Sequence, residues 1–183
     1  ALDPADMQAF AEFALTIRYP PNPIRRLDDG LTPLQASGAD LYFTGGPNAH
    51  QPCLFCHTNA IAADGRSTDD GEPQQFKVPH LRNLYEKVGM FGLAPVPGIR
   101  RGDTTSLGDQ VRGFGYLHDG SVDTLAHFLS SMVFSISVEE IADVEAFLLG
   151  FDTGLAPAVG QQVTVGVDDD GTTAARVALL IGR

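Results

Sequence analysis

Cysteine is almost missing from this chain: 183 residues hold two, Cys53 and Cys56, three positions apart. A disulfide between residues so close closes a trivial loop, so the chain has no disulfide framework. Long apolar runs are missing too. Nothing reaches the roughly eighteen consecutive apolar residues of a membrane span, and no span is expected. Basic residues are few, 12 against 23 acidic ones, for a formal net charge of -11. Nucleic-acid binding depends on Lys and Arg neutralising phosphates, so that class of partner is excluded. A negative field suits a soluble protein, and a cationic partner steered towards it. What remains is a hydrophobic fraction of 43%, ordinary for a globular chain long enough to bury a core.

The two cysteines open the run Cys53-Leu54-Phe55-Cys56-His57. Two thiols spaced by two residues, with a histidine immediately after, form the attachment signature of a c-type haem: both sulfurs bond the porphyrin edge and the imidazole ligates iron. One turn of helix suffices to bring both sulfurs to one edge. Two other chemistries use similar residues. A thioredoxin-type pair follows a buried strand and works through a lowered thiol pKa, whereas a proline-containing loop, residues 45–52, precedes this motif. Zinc needs two more ligands, for which only the scattered His50 and His80 are available. The spacing therefore points to one haem c, covalent through Cys53 and Cys56, with His57 as axial ligand. Covalent haem is attached outside the cytoplasm in bacteria, which implies a periplasmic or extracellular protein. No signal peptide precedes the acidic segment after Ala1, so the numbering is expected to begin on a mature or excised chain.

Helix signals surround the motif. Residues 1–19 read as an amphipathic helix capped by Asp3 with Pro4 first, and Met7, Phe10, Ala14 and Ile17 recur at core spacing. Pro20, Pro21 and Pro23 end it. A second helix is expected from Thr32 as cap and Pro33, through Leu34, Ala36, Ala39 and Leu41, to Phe43, stopped by Gly45 and Gly46. Residues 60–75 read as a polar loop, 81–87 as a short helix, and 89–115 as a long Gly/Pro-rich excursion. Ser121 or Asp123 is expected to cap a helix over 124–132. Residues 138–149 carry Val138, Ile141, Val144 and Leu148 on one stripe, with Glu139 and Glu140 in the first turn. Beyond Gly150 come a linker (151–157), a strand-like alternation (161–167), an Asp-rich turn (168–171) and a helix (173–181). The distal glutamate of a calcium loop is lacking. The apolar end of the chain suggests a piece of a longer protein.

Two further stretches carry a resemblance. Phe76-Lys77-Val78-Pro79-His80-Leu81-Arg82-Asn83, followed by Tyr116-Leu117-His118-Asp119-Gly120-Ser121-Val122-Asp123-Thr124-Leu125, resembles the C-terminal haem domain of bacterial dihaem cytochrome c peroxidases and MauG-type proteins. The insertion between Asn83 and Tyr116 departs from that family. There, Lys87-Val88-Gly89-Met90-Phe91-Gly92 is similar to cytochrome modules fused to secreted repeat or propeller proteins. The resemblance implies a mainly α, class I cytochrome c-like fold around one covalently bound haem, with a long loop insertion and a short C-terminal appendage. Its domains would be an N-terminal helix and Pro-rich connection (1–31), the cytochrome c domain (32–150), and a linker and tail (151–183). Only one haem motif is present, so the implied activity is single-electron transfer rather than catalysis. The partners are a redox protein and, in a longer chain, other domains. A peroxidase-like or haem-modifying activity with a partner haem is the alternative.

Within that reading the second axial ligand is a methionine. Met132 stands before the last helix, where class I cytochromes carry theirs, and Met90 lies in the insertion between two glycines that allow close backbone approach. Both stay open; Met7 is assigned to the core, and His50, His118 and His127 to ordinary polar roles. Around the haem, the Pro79 carbonyl is expected to orient the His57 imidazole, and Arg82 to pair with a propionate.

Overall fold

A computed structural model describes residues 3–46, 51–58, 67–68, 75–89, 113–117, 120, 122–131, 133–167 and 171–182. Of these, 45% are helical and 4% are in strands, so the protein is mainly α. Its centre is the crossing of two twelve-residue helices, α2 (Pro33–Thr44) and α4 (Val138–Leu149). Both begin with a capping box. Thr32 and Gln35 exchange hydrogen bonds at the start of α2, and Ser137 and Glu140 at the start of α4. Gly45, left-handed at φ 81°, ends α2 by donating its N–H to the Leu41 carbonyl.

Gly38 lets the two helices touch. A Cβ there would stand 1.9 Å from the Asp143 carbonyl oxygen and 2.9 Å from the Phe147 Cβ, so any larger residue would push the axes apart. The face of α2 turned inward is therefore Gln35, Gly38, Leu41 and Tyr42, with Leu34 and Ala36 on the solvent side. Of the apolar residues along this helix, Leu41 is buried and Ala39 packs on the core; spacing alone did not reveal that a glycine marks the contact line. Along α4, Val144, Phe147 and Leu148 are buried as the periodicity indicates, whereas Val138 is 78% exposed. Tyr42, Phe147 and Phe151 stack against one another with centroids 5.3 to 6.1 Å apart, in edge-on and tilted arrangements suited to aromatic rings.

Shorter elements close the core. The stretch at 81–87 forms a 3₁₀ turn only over Leu84–Lys87, because Asn83 adopts a left-handed conformation at φ 61°. Helix α3 is Leu125–Leu129, and its cap is Thr124, which accepts from the His127 N–H, rather than Ser121 or Asp123. The polar loop contains a two-residue antiparallel pair, β1 (Ser67–Thr68) with β2 (Phe76–Lys77). The insertion leaves and returns at one place. Gly113 donates to the Val88 carbonyl at 2.7 Å and Gly115 to the Lys87 carbonyl at 2.8 Å, while Gly89 donates to Asp123.

Both ends of the chain differ from expectation. Helix α1 (Pro4–Thr16) is capped by Asp3 as its sequence indicates, yet it packs on no other helix or strand among the described residues. Met7 is 46% exposed and is not a core residue: the apolar spacing is real but has no facing surface among the described residues. Residues 161–167 form no strand, since no described segment pairs with them, and α5 (Thr172–Ile181) buries no residue.

By contrast, the segment after α4 is more than a connection. Phe151, Thr153 and Pro157 pack inward. Asn22, 1% exposed among its prolines, donates to the Leu149 and Phe151 carbonyls at 2.8 and 3.0 Å and accepts from the Ile24 N–H. Arg25 adds a bond to the Gly150 carbonyl. The Pro-rich connection and the residue 151–157 strap therefore hold each other across the end of α4.

Candidate cofactor site

Cys53–Phe55 is a single 3₁₀ turn, extended by bonds from the Cys56 and His57 N–H groups to the Cys53 carbonyl, at 3.2 and 3.0 Å. Side chains three apart eclipse on a 3₁₀ turn, so Cys53 and Cys56 share a face, and His57 follows at once on the same turn. The turn is anchored to the core at both ends. Cys53 and Leu54 pack on the buried cluster, and the Tyr42 hydroxyl donates to the His57 carbonyl at 2.9 Å. Tyr42 leads from α2, so the crossing that builds the core also fixes the motif.

Both thiols are free: Cys53 is partly buried and Cys56 exposed. Burial pushes the Cys53 thiol above its ordinary range, and the neighbouring Cys56 adds to that, against a lowering backbone hydrogen bond. The Tyr42 phenol is pushed up as well, first by burial and then by Cys53. A thiol held in its protonated form is the reverse of what a thioredoxin-type nucleophile requires. No group of three or more His, Cys, Asp or Glu suited to a metal ion occurs among the described residues.

A second group of side chains gathers around Arg82. The Arg82 backbone N–H donates to His80 Nδ1 at 3.2 Å, and His80 Nε2 bonds the Tyr19 hydroxyl at 2.9 Å. His80 is thus held as the neutral ring, with Nδ1 as acceptor and the proton on Nε2. Its pKa is lowered by burial first, then by Lys87 and Arg82. The Arg82 guanidinium lies 5.9 Å over the Tyr19 ring. The strap approaches it too: a Cβ at Gly154 would stand 3.0 Å from an Arg82 terminal nitrogen. Arg82 Nε is buried without a hydrogen-bond partner among the described residues, as is Thr153 Oγ1.

The residues present fit a covalently held porphyrin. The donor set is right, with two unpaired thiols and an imidazole on one turn. Arg82 also presents a buried N–H to which no described protein group bonds, a place for an external carboxylate. Pro79 is exposed beside His80. Met90, Met132, His50, His118 and the Asp-rich turn at 168–170 lie outside the described residues. His127, taken as an ordinary helix residue, pairs through Nδ1 with the buried Asp123 carboxylate. An open, polar groove of about 380 Å³ between residues 162–164 and Thr172, Thr173 and Arg176 belongs to the C-terminal appendage, and no expected site residue lines it.

Sequence reading missed Tyr19, Thr153 and Gly154 as parts of this region. The only local sign was Asp152, whose carboxylate accepts from the Gly154 N–H in a tight turn. Compared with protein families, with curated proteins and with solved structures, the chain matches none.

Proposed function

We propose that this chain is a monohaem c-type cytochrome that passes single electrons, with one haem c held by Cys53 and Cys56 and ligated by His57. The observation that carries the reading is the turn itself. Two free thiols and a histidine follow one another on one turn, and the Tyr42 hydroxyl anchors that turn to the helix crossing. When bound, the haem supplies the one-electron couple.

Every other part is the work of the chain. Cys53 and Cys56 hold the group at two points, so that it does not exchange. The Tyr42 bond fixes the backbone from which the His57 ring projects, and the Pro79 carbonyl is assigned to accept from that ring, fixing its tautomer. Met90, with Met132 as the alternative, would supply the second iron ligand. Arg82 is assigned to a propionate carboxylate. Electron transfer needs no acid or base, only a rigid surrounding, which the α2/α4 crossing offers. The net charge of -11 suits a cationic redox partner. The same reading assigns the protein to the periplasm or the outside of the cell, where covalent haem attachment takes place in bacteria.

Production in a host that attaches haem c outside the cytoplasm tests the reading. A peptide spanning residues 53–57 should carry the mass of haem after denaturation, and Cys53→Ala with Cys56→Ala should abolish it. Unmodified thiols in the wild-type protein from that host would overturn it.

A further inference from the structure

The segment after α4 has no assigned role, yet it carries a combination that a mere connection does not need. Thr153 is 4% exposed and its hydroxyl has no partner among the described residues. The next residue, Gly154, sits at φ +79° with its Cα side against the Arg82 guanidinium, so closely that a methyl group would stand 3.0 Å from a terminal nitrogen. The Arg82 guanidinium touches both that glycine and the Tyr19 ring, and its Nε is buried with no partner among the described residues. No carboxylate of the described residues pairs with it, although the chain has 23 acidic residues against 12 basic ones. A partly buried guanidinium in an acidic protein would ordinarily find an acid. A buried hydroxyl left unmatched beside it costs stability of its own.

We infer that the strap 151–157 is a wall of the cofactor site, in which the Thr153 hydroxyl and the Arg82 guanidinium together bind one carboxylate, a propionate of the haem. The inference rests on the haem reading above and adds the strap to it. Guanidinium and hydroxyl are complementary to a carboxylate, one supplying charge and a fork of donors, the other a single O–H. Gly154 supplies the room, because a side chain there would displace the guanidinium. Asn22 supplies the position, since its bonds to the Leu149 and Phe151 carbonyls fix where the strap leaves α4. The His80 acceptor fixes the backbone of Arg82 itself.

The test is the reduction potential of the haem-loaded protein as a function of pH, for wild type, Arg82→Gln and Thr153→Val. Donors to an ionised carboxylate hold its proton affinity down. Removing Arg82 should therefore raise the proton-linked inflection of the potential by about one pH unit or more, and lower the potential on its alkaline side. Thr153→Val, nearly the same shape, should move the inflection in the same direction by roughly half a unit. Should Arg82→Gln fail to load haem, the valine variant still decides. Superimposable curves from variants that carry haem would refute the inference while leaving the haem reading intact. If inorganic phosphate shifts the wild-type curve but not that of Arg82→Gln, the cradle holds an exchangeable anion, and the inference is wrong. A wild-type chain that carries no covalent haem removes the haem reading and the inference with it.

Discussion

Replacing Gly38 by Ala tests the helix crossing on which the rest of the molecule depends. The added methyl would stand 1.9 Å from the Asp143 carbonyl oxygen, 2.5 Å from its carbon and 2.9 Å from the Phe147 Cβ. Ordinary contact is near 3.5 to 4.0 Å for carbon atoms, so α2 and α4 must separate by about 1.5 Å or more at this point. Two of the three clashing atoms are backbone, so no rotamer change relieves them. Forced repacking of this kind typically costs about 1–3 kcal/mol, with larger values on record. Against it stands the helix preference of Ala over Gly, about 1 kcal/mol. The crossing should lose contact along its whole length, which puts the case at the upper end, a net loss of about 2 kcal/mol. For a chain of this size that lowers the melting midpoint by about 4–8 °C. The measurement is thermal and denaturant unfolding of Gly38→Ala beside Gly166→Ala, whose new methyl would meet nothing within 4 Å. Equal midpoints for the two variants would show that the α2/α4 contact is not as close as described.

Asn22→Ala should cost about 3 kcal/mol, because it strips two buried carbonyls of their donor and the Ile24 N–H of its acceptor, visible as a lower denaturant midpoint at unchanged slope. His80 makes stability depend on pH. Its folded pKa is depressed, so its contribution is complete above the unfolded value near 6.5 and is lost as pH falls through the folded value. Unfolding free energies compared across that window should fall with acid in the wild type and less so in His80→Gln; parallel slopes would contradict the assignment. Removal of residues 1–17 should leave the melting midpoint within experimental scatter, since α1 packs on no other element among the described residues. A drop of several degrees would mean that its apolar face is covered in the isolated chain.

How much of this was legible in the sequence depended on the range of the forces involved. Helix boundaries set by local chemistry were readable: Asp3-Pro4 and Thr32-Pro33 cap the helices they announce, and the helix expected over 138–149 has those bounds. Burial was less so, because a stripe needs a partner. Met7, Phe10 and Ile17 recur at helical spacing on α1 yet stay exposed, and the glycine that marks the buried face of α2 is silent in a hydrophobicity pattern. That Cys53, Cys56 and His57 lie on one turn was legible because it follows from their spacing over five residues. Tyr42, Tyr19 and the strap were not, since each joins the site through contacts between residues 15 to more than 60 positions apart. The cap of α3 shows the same limit on a smaller scale. Three hydroxyl- or carboxylate-bearing residues precede that helix, and the competition was won by Thr124, whose oxygen reaches the His127 N–H.

The central claim is a haem c on the turn at Cys53–Phe55, completed by Cys56 and His57 and closed on its far side by a methionine. The visible spectrum of the oxidised and reduced protein, produced with covalent haem attachment, tests it most directly. The account predicts a Soret band that survives denaturation with the polypeptide, low-spin bands in both states, and a sulfur-to-iron charge-transfer band in the oxidised protein that Met90→Ala or Met132→Ala removes. A chain without a Soret band would contradict the cofactor, and a high-spin spectrum with peroxide turnover would contradict electron transfer as the function.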